Sequence, residues 1–239
     1  MQHFKKPNEM SNTIELIGHY GDDLTHALSA WTSTSRDITE EKRSRIGSLL
    51  EMLASEGHHT PFEKSTLHFL VTVDQATHIH LLKHRIGVSI NGESARYKEL
   101  KEDKSYLPSD WRGIRVEEKH LNLSFLSEQF SSNLGDLEWK QVLNHYTELG
   151  NKLYHKCLED LTPYVGRKRA KESARFFKTF NSQITMDISF NWRSFVHFLH
   201  LRDSEHAQVE VRDLAQAMLY HVKNIEGNPF ELTIKAFKL

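Results

Sequence analysis

The sequence predicts a mixed fold, α/β or α+β, with few strands and much helix. Three observations lead there. Short stretches at Thr13–Ile17, Thr66–Val73 and Thr179–Ile188 read as strands, and the last two alternate apolar and polar residues. Segments with apolar residues at three- and four-residue steps separate them and dominate the second half. There is no Gly-x-Gly-x-x-Gly and no Walker loop, so a Rossmann or P-loop phosphate site is not indicated.

Taken in order, residues 1–12 are polar and read as loose. After the first strand, Gly21-Asp22-Asp23 turns into a helix from Leu24 to Trp31, and a hydroxyl-rich loop follows at Thr32–Ser35. Asp37 with Glu40 three residues on reads as a capping arrangement. The helix it opens carries Ile46, Leu49, Leu50 and Leu53 on one face and ends at Gly57. Pro61 biases Thr60 towards extended backbone. Leu67, Phe69, Val71 and Val73 share one side of the second strand, and Asp74 is a candidate cap for a helix reaching Leu82. Residues 83–97 read as a polar loop. Residues 97–115 are charged, carry Pro108, and read as a surface segment in which Lys104 and Trp111 could border a cleft.

From Val116 to Thr162 the chain reads as mostly helical. Asp136 is a candidate cap, and the apolar stripe runs through Val142, Leu143, Tyr146, Leu149, Leu153, Tyr154, Cys157 and Leu161. Arg167–Phe177 reads as a short basic helix. Phe180, Ile184, Met186 and Ile188 alternate in the third strand. Asn191 opens a helix bearing Arg193, His197, His200 and Arg202. Ser204 is a candidate cap for a last long helix to Lys223, and the tail from Pro229 is expected to form a strand or a helical turn.

The 239 residues suit a single domain, 1–239, with a helical insertion at about 116–162. A net charge of −1 implies no wholesale polyanion partner, so nucleic acid is not expected. The lone Cys157 excludes a disulfide framework and fits a reducing, cytoplasmic setting. No apolar run is long enough for a membrane span, and the N-terminus lacks a signal-peptide pattern.

The chemistry concentrates in Lys83–Tyr97. A basic pair ends a helix, and Ser89, Asn91, Glu93, Ser94 and Arg96 then bring hydroxyl, amide, carboxylate and guanidinium groups within eight residues. Gly87 and Gly92 permit backbone angles closed to other residues. Such donors suit an anion with polar edges, such as a nucleotide. A solvated helix end with a polar loop is the plain alternative. Two other classes compete. His80-x-x-x-His84, with His58 and His59, has metal-ligand spacing for a nucleotide hydrolase, but no Glu follows in the His-Glu-x-x-His manner. Arg85, Arg96, Lys98, Lys101 and Trp111 could serve a single-strand binder, against which the near-neutral charge speaks.

The order of these residues resembles the signature of the flavin-dependent thymidylate synthases: Arg-His-Arg, seven residues, then Ser-x-Arg. His84-Arg85, Ser89-x-Asn91 and Ser94-Ala95-Arg96-Tyr97 match. Lys83 stands for the first Arg, and eight residues separate Arg85 from Ser94. Further blocks follow in order over roughly residues 15–215. Ser29-Ala30-Trp31-Thr32-Ser33 resembles the first, with Trp31 in place of Arg. His59-Thr60-Pro61-Phe62-Glu63, Ala174-Arg175, and Arg193, His197, Leu201-Arg202 and His206-Ala207-Gln208 resemble the others.

The resemblance implies a small, mostly antiparallel sheet flanked by long helices. It implies reductive methylation of dUMP to dTMP, with methylenetetrahydrofolate giving the carbon, reduced FAD the hydride, and NADPH reloading the flavin. Cys157 lies in an apolar stripe where a thiol is poorly activated, so attack by an enzyme cysteine is not expected. Ser94, Ala95 and Arg96 are implied to hold the dUMP phosphate, with Arg175 joining from a neighbouring subunit. Arg202 is implied as the catalytic residue on the uracil carbonyl side. His80, where the family has Gln, and Glu93, one residue after the family's Glu position at Gly92, are implied to face the nucleotide. Ser33, His58, Thr60, Lys83, His84, Arg85, Asn91, Arg193, His197 and His206 are implied to line FAD, with no metal, in a homotetramer whose active sites lie at subunit interfaces. A relative acting on another pyrimidine nucleotide, by C5 methylation or hydroxymethylation, stays open.

Overall fold

The computed structural model describes residues 11–117 and 134–239. Expectations for residues 1–10 and 118–133 fall outside them. The chain divides into two compact units. One holds residues 12–72, 77–92 and 185–239; the other holds residue 11, residues 73–76 and the described part of 93–184.

A four-stranded sheet runs in the order β1-β2-β4-β3. β1 is Thr13–Tyr20, β2 is Thr66–Asp74, β3 is Val88–Gly92 and β4 is Gln183–Phe190. β1 pairs antiparallel with β2, with a break in register between Leu16 and Gly18, and β3 pairs antiparallel with β4. This is the small antiparallel sheet that the resemblance implies. β2 is read correctly because alternation decides it: Leu67, Phe69, Val71 and Val73 are all fully buried. Each such side chain stabilises the fold by about 1.5–3 kcal/mol on burial.

The helices of the first unit follow from local caps and apolar faces. α1 (Asp23–Trp31) starts from Asp22, whose carboxylate accepts the Thr25 amide at 2.7 Å. The helix expected after Asp37 is two helices, α2 (Glu40–Ser44) and α3 (Ile46–Ser55). Its cap is Thr39, which accepts from Lys42 N at 3.2 Å, while Asp37 is engaged by Ser35. The chain passes from β2 through Asp74 directly into α4 (Gln75–Leu81). α6 (Trp192–Arg202) is capped by Asn191, which accepts from Ser194 N at 2.9 Å. α7 (Val209–Lys223) buries Leu214, Met218 and Val222 as expected, but starts after Gln208 and not at Ser204. The tail forms α8 (Glu231–Ala236), whose first turn is held by Asp23: its carboxylate accepts from Leu232 N at 2.8 Å and Thr233 N at 2.8 Å. Phe69, Phe190, Phe195 and Phe198 form a fully buried aromatic cluster, and Trp192 stacks on Phe230 at 4.8 Å.

The second unit is built on α5 (Trp139–Ala174). Its cap is Glu138, in a reciprocal arrangement with Gln141, and not Asp136, which lies in a 3-10 turn. The helix is broken at Gly166, where φ 78° and ψ 151° are open to glycine. That break separates the long helix from the basic one, as the sequence suggests. The buried stripe is Thr147, Gly150, Tyr154 and Leu158; Tyr146, Leu149 and Leu153 are exposed instead. Gly150 is required because a Cβ there would sit 2.6 Å from Phe177 O. Cys157 packs against Tyr154, Leu158, Ala170 and Ala174. β4 begins four residues later than expected, leaving Phe180 exposed before it. Among the described residues, no helix is long and apolar enough to cross a membrane.

Candidate functional site

In the first unit, the C-terminal ends of α4 and α6 carry the densest group of implied site residues. Lys83 and His84 follow α4 in a turn, with Lys83 N donating to His80 O at 3.3 Å and His84 N to Leu81 O at 3.0 Å. Arg202 is the last residue of α6. Its Nε donates to His84 Nε2 at 3.0 Å. A histidine nitrogen that accepts carries no proton, so the His84 imidazole is neutral with its proton on Nδ1. Burial, then the charges of Arg202, His197 and His80, pull the His84 pKa down to about 4. The ring stands edge-on to Phe198 at 5.1 Å and to His197 at 6.4 Å. His80 Nε2 lies 3.1 Å from Gln208 Oε1.

A turn then leads into β3. The sequence suggests a polar loop here; the structure makes Val88–Gly92 a strand, because Val88 and Ile90 alternate with polar residues and pair with Phe190 and Ile188. Gly87 has φ 64°, and a Cβ on it would lie 2.3 Å from both Asn191 Nδ2 and Ser194 Oγ. Ser194 Oγ donates to Ile86 O at 2.6 Å, and Asn191 N donates to Gly87 O at 3.0 Å. The signature turn is thereby stapled to the N-terminus of α6, the helix that delivers Arg202. The β3–β4 register is unbroken from Val88 to Gly92, so the extra residue between Arg85 and Ser94 is not taken up as a bulge. Asn91 Nδ2 donates to Asp187 Oδ2 at 3.4 Å.

A second group lies around Thr60, which opens the 3-10 turn Thr60–Lys64. Glu63 of that turn forms an ion pair with Arg193 Nη1 at 2.5 Å, fixing the turn to α6. His59, and not His58, is the packed histidine: it stands edge-on to Phe62 and Phe237, while His58 is exposed. Ser33 is exposed, and its hydroxyl donates within its own helix end to Ala30 O at 2.9 Å. His206 is exposed, with its amide 3.3 Å from Ser204 Oγ. Ser33, His58 and His206 therefore make no described bond to the other site residues. Lys83 and Arg85 are exposed, and among the described residues neither enters an ion pair.

The second unit holds the Ser94-Ala95-Arg96 arm. Ser94 starts a tight turn, its carbonyl accepting from Tyr97 N at 3.0 Å and Lys98 N at 2.9 Å. Arg96 Nε donates to Glu172 Oε1 at 2.8 Å, and Lys171 Nζ donates to Tyr97 O at 2.8 Å. The hydrogen bond from Arg96 holds the Glu172 carboxyl below the usual range. Arg175 follows on the same limb of α5, in an exposed 3-10 turn. Glu93 is held by Lys98 Nζ at 2.6 Å. Further along, Lys178 Nζ bonds Asp103 at 2.5 Å and Asn151 at 2.8 Å, and Tyr154 accepts the Leu100 amide at 3.1 Å. The arm is thus fastened to α5 along its length.

Glu172 is the partner that the sequence does not single out, while Glu63, Gln208 and Lys98 are named there without their partners. Glu172 lies three residues before Arg175, and for the other three only the pairing is invisible in the sequence. Among the described residues, no three His, Cys, Asp or Glu side chains gather as a metal site. The donor set fits a flavin dinucleotide on chemical grounds. Exposed Lys83 and Arg85 suit a diphosphate, and the neutral His84 with its aromatic neighbours suits a planar ring.

Comparisons with known proteins bear on the family and the fold. The family model described as "Thymidylate synthase complementing protein" matches residues 15–226. A flavin-dependent thymidylate synthase of Pseudothermotoga lettingae is 32% identical over 214 residues, which is 89% of this chain and 85% of that protein. One of Thermosipho africanus is 31% identical over 224 residues, covering 94% and 90%. Among solved structures, a UMP/dUMP methylase, PolB from Streptomyces cacaoi bound with 5-Br UMP, shares the fold. Its TM-score is 0.70 at 24% identity, over 96% of this chain and 95% of that one.

Proposed function

This chain belongs to the thymidylate synthase complementing protein family, and we propose that it methylates dUMP to dTMP as a flavin-dependent thymidylate synthase. Reduced FAD supplies the hydride, methylenetetrahydrofolate the carbon, and NADPH the reducing equivalents.

The observation that carries this reading is the Arg202–His84 pair. Arg202 is the charged donor of the reaction. Its Nε is committed to His84, which leaves the two terminal nitrogens to lie against a uracil carbonyl and stabilise negative charge on the ring. Ser94 and Arg96, with the Ala95 amide, bind the phosphate, and Glu172 keeps the Arg96 guanidinium in plane until it does so. Arg175 adds a cation to that phosphate from a second subunit. His80 and Glu93 face the nucleotide. Lys83 and Arg85 hold the diphosphate of the flavin, while His84, His197, Arg193, Thr60, Asn91, Ser33, His58 and His206 border the cofactor. The lone Cys157, packed in an apolar cluster, takes no part, so the methyl transfer needs no enzyme thiolate.

The homotetramer that the resemblance implies is part of this proposal, and two features support association with further copies of the chain. The second unit leaves the large apolar side chains of Tyr146, Leu149, Leu153, Tyr164, Phe176 and Phe180 exposed. Arg175 is exposed beside them.

The test is the visible spectrum of the purified protein before and after dUMP, followed by assay of dTMP with methylenetetrahydrofolate and NADPH. A flavin band that shifts with dUMP, and dTMP as product, is the expected result. Absence of flavin after reconstitution, or hydroxymethyl-dUMP as the product, overturns it.

A further inference from the structure

We infer that His84 is a positioning residue for Arg202: as a neutral acceptor it takes the Nε–H and sets the plane in which the two terminal nitrogens meet the pyrimidine. This rests on the role proposed for Arg202 and adds a duty to His84 beyond bordering the flavin.

The geometry leaves the imidazole little freedom. Its backbone is tied to the end of α4, where His84 N donates to Leu81 O at 3.0 Å. Its ring stands edge-on to Phe198, which is fully buried in α6. Arg202 lies one helical turn beyond Phe198 on the same helix, so one element presents both the packing surface and the guanidinium. The 3.0 Å bond uses Nε, the inner nitrogen. A bond there fixes the tilt of the planar guanidinium without occupying either terminal NH2 group, so the outer fork keeps its bidentate geometry.

Only one protonation state of His84 can do this. A protonated ring has no lone pair to offer, and its charge would repel Arg202. The titratable and charged groups around it are Arg202 and His197 on α6 and His80 on α4, and all three oppose protonation. Arg202 in turn ends a helix, where the dipole favours a cation. The cation and the neutral ring therefore stabilise one another's state.

The experiment compares His84→Leu, which removes the acceptor, with His84→Gln, whose amide oxygen can accept from Nε. Both are made in the wild-type and Arg202→Lys backgrounds of the holoenzyme. Misplacing a catalytic group by about 1 Å costs about 100-fold, so His84→Leu is expected to lower kcat about 100-fold, with much less change in KM for dUMP. His84→Gln should recover about 10-fold of that loss. In the Arg202→Lys background, where no Nε–H exists, the two His84 variants should be alike. A loss of the same size in both backgrounds overturns the inference while leaving Arg202 in its role. Full turnover in Arg202→Lys and Arg202→Ala overturns the role of Arg202 itself.

A second measurement does not depend on turnover. In ¹⁵N-histidine-labelled protein, the His84 Nε2 signal should be that of an unprotonated nitrogen at pH 7 and remain so to about pH 5. In Arg202→Ala its titration should move up towards the ordinary range. A protonated Nε2 at pH 7 in the wild type overturns the inference whatever the kinetics.

Discussion

Arg202 gives its Nε–H to His84 Nε2 at 3.0 Å, joining the last residue of one helix to the residue three beyond the end of another. The bond fixes the protonation of the signature histidine, and it has a consequence for pH. The His84 pKa is pulled down to about 4, chiefly by burial and then by Arg202. His84 therefore stays neutral from pH 8 to about pH 5. The kcat profile should show no limb near pH 6.5 that belongs to this residue. A limb there that vanishes in His84→Gln would contradict the pairing.

Arg202→Ala removes the charged donor but leaves the Lys83 and Arg85 side chains in place. Methylation should fall by at least about 100-fold, the usual loss for a donor at developing charge. Flavin content, read from the visible spectrum of the purified variant, should stay near that of the wild type. Normal turnover would remove Arg202 from the mechanism.

Gly87→Ala puts a Cβ 2.3 Å from Asn191 Nδ2 and Ser194 Oγ at a residue with φ 64°. It strains the turn and breaks the staple to α6. We expect a loss of roughly 2–4 kcal/mol in urea unfolding, the range for a strained backbone combined with overpacking. Activity should fall with it, because the same staple places the helix of Arg202.

His26 is fully buried, with Nδ1 2.9 Å from Thr233 Oγ1 and Nε2 2.8 Å from Ser65 Oγ. Burial pulls its pKa down to about 4. The folded value lies below the unfolded one, so the unfolded chain takes up the proton first as pH falls. The stability of the neutral ring is complete above about pH 6.5 and is lost on the way down to about pH 4. Roughly 2 kcal/mol should go between pH 7 and pH 5. Urea unfolding at the two pH values measures it, and His26→Gln should lack that part of the slope.

Cys157→Ala tests the absence of thiolate chemistry. The thiol packs against Tyr154 and Leu158, so the variant should lose about 1 kcal/mol of stability at most. Its kcat should stay within about twofold of the wild type. Loss of turnover with the fold intact would restore a covalent mechanism.

How much of this was legible in the sequence depends on the range of the interaction. β2 and α6 were readable because the alternation of Leu67, Phe69, Val71 and Val73, and the Asn191 cap, are local patterns. The caps at Asp37, Asp136 and Ser204 were misplaced by two to four residues, because neighbouring Thr39, Glu138 and Gln208 compete for the same role. The sequence suggests a loop at β3 because five residues preceded by Gly87 and ending in Gly92 carry little signal until β4 lies alongside. In α5 the stripe was displaced, since Gly150 and Thr147 face the close approach of residues 177–181 while larger Tyr146 and Leu149 do not.

The order of Lys83-His84-Arg85, Ser94-Ala95-Arg96 and Arg202 is enough to point to the family, because a signature is a pattern of residue types along the chain. How these side chains are paired is set by the folded chain. His84 with Arg202, Arg193 with Glu63, and Arg96 with Glu172 lie 118, 130 and 76 residues apart. No local propensity records such a contact. Protonation state and orientation of a charged group are set by what is buried beside it, and burial is a property of the folded chain.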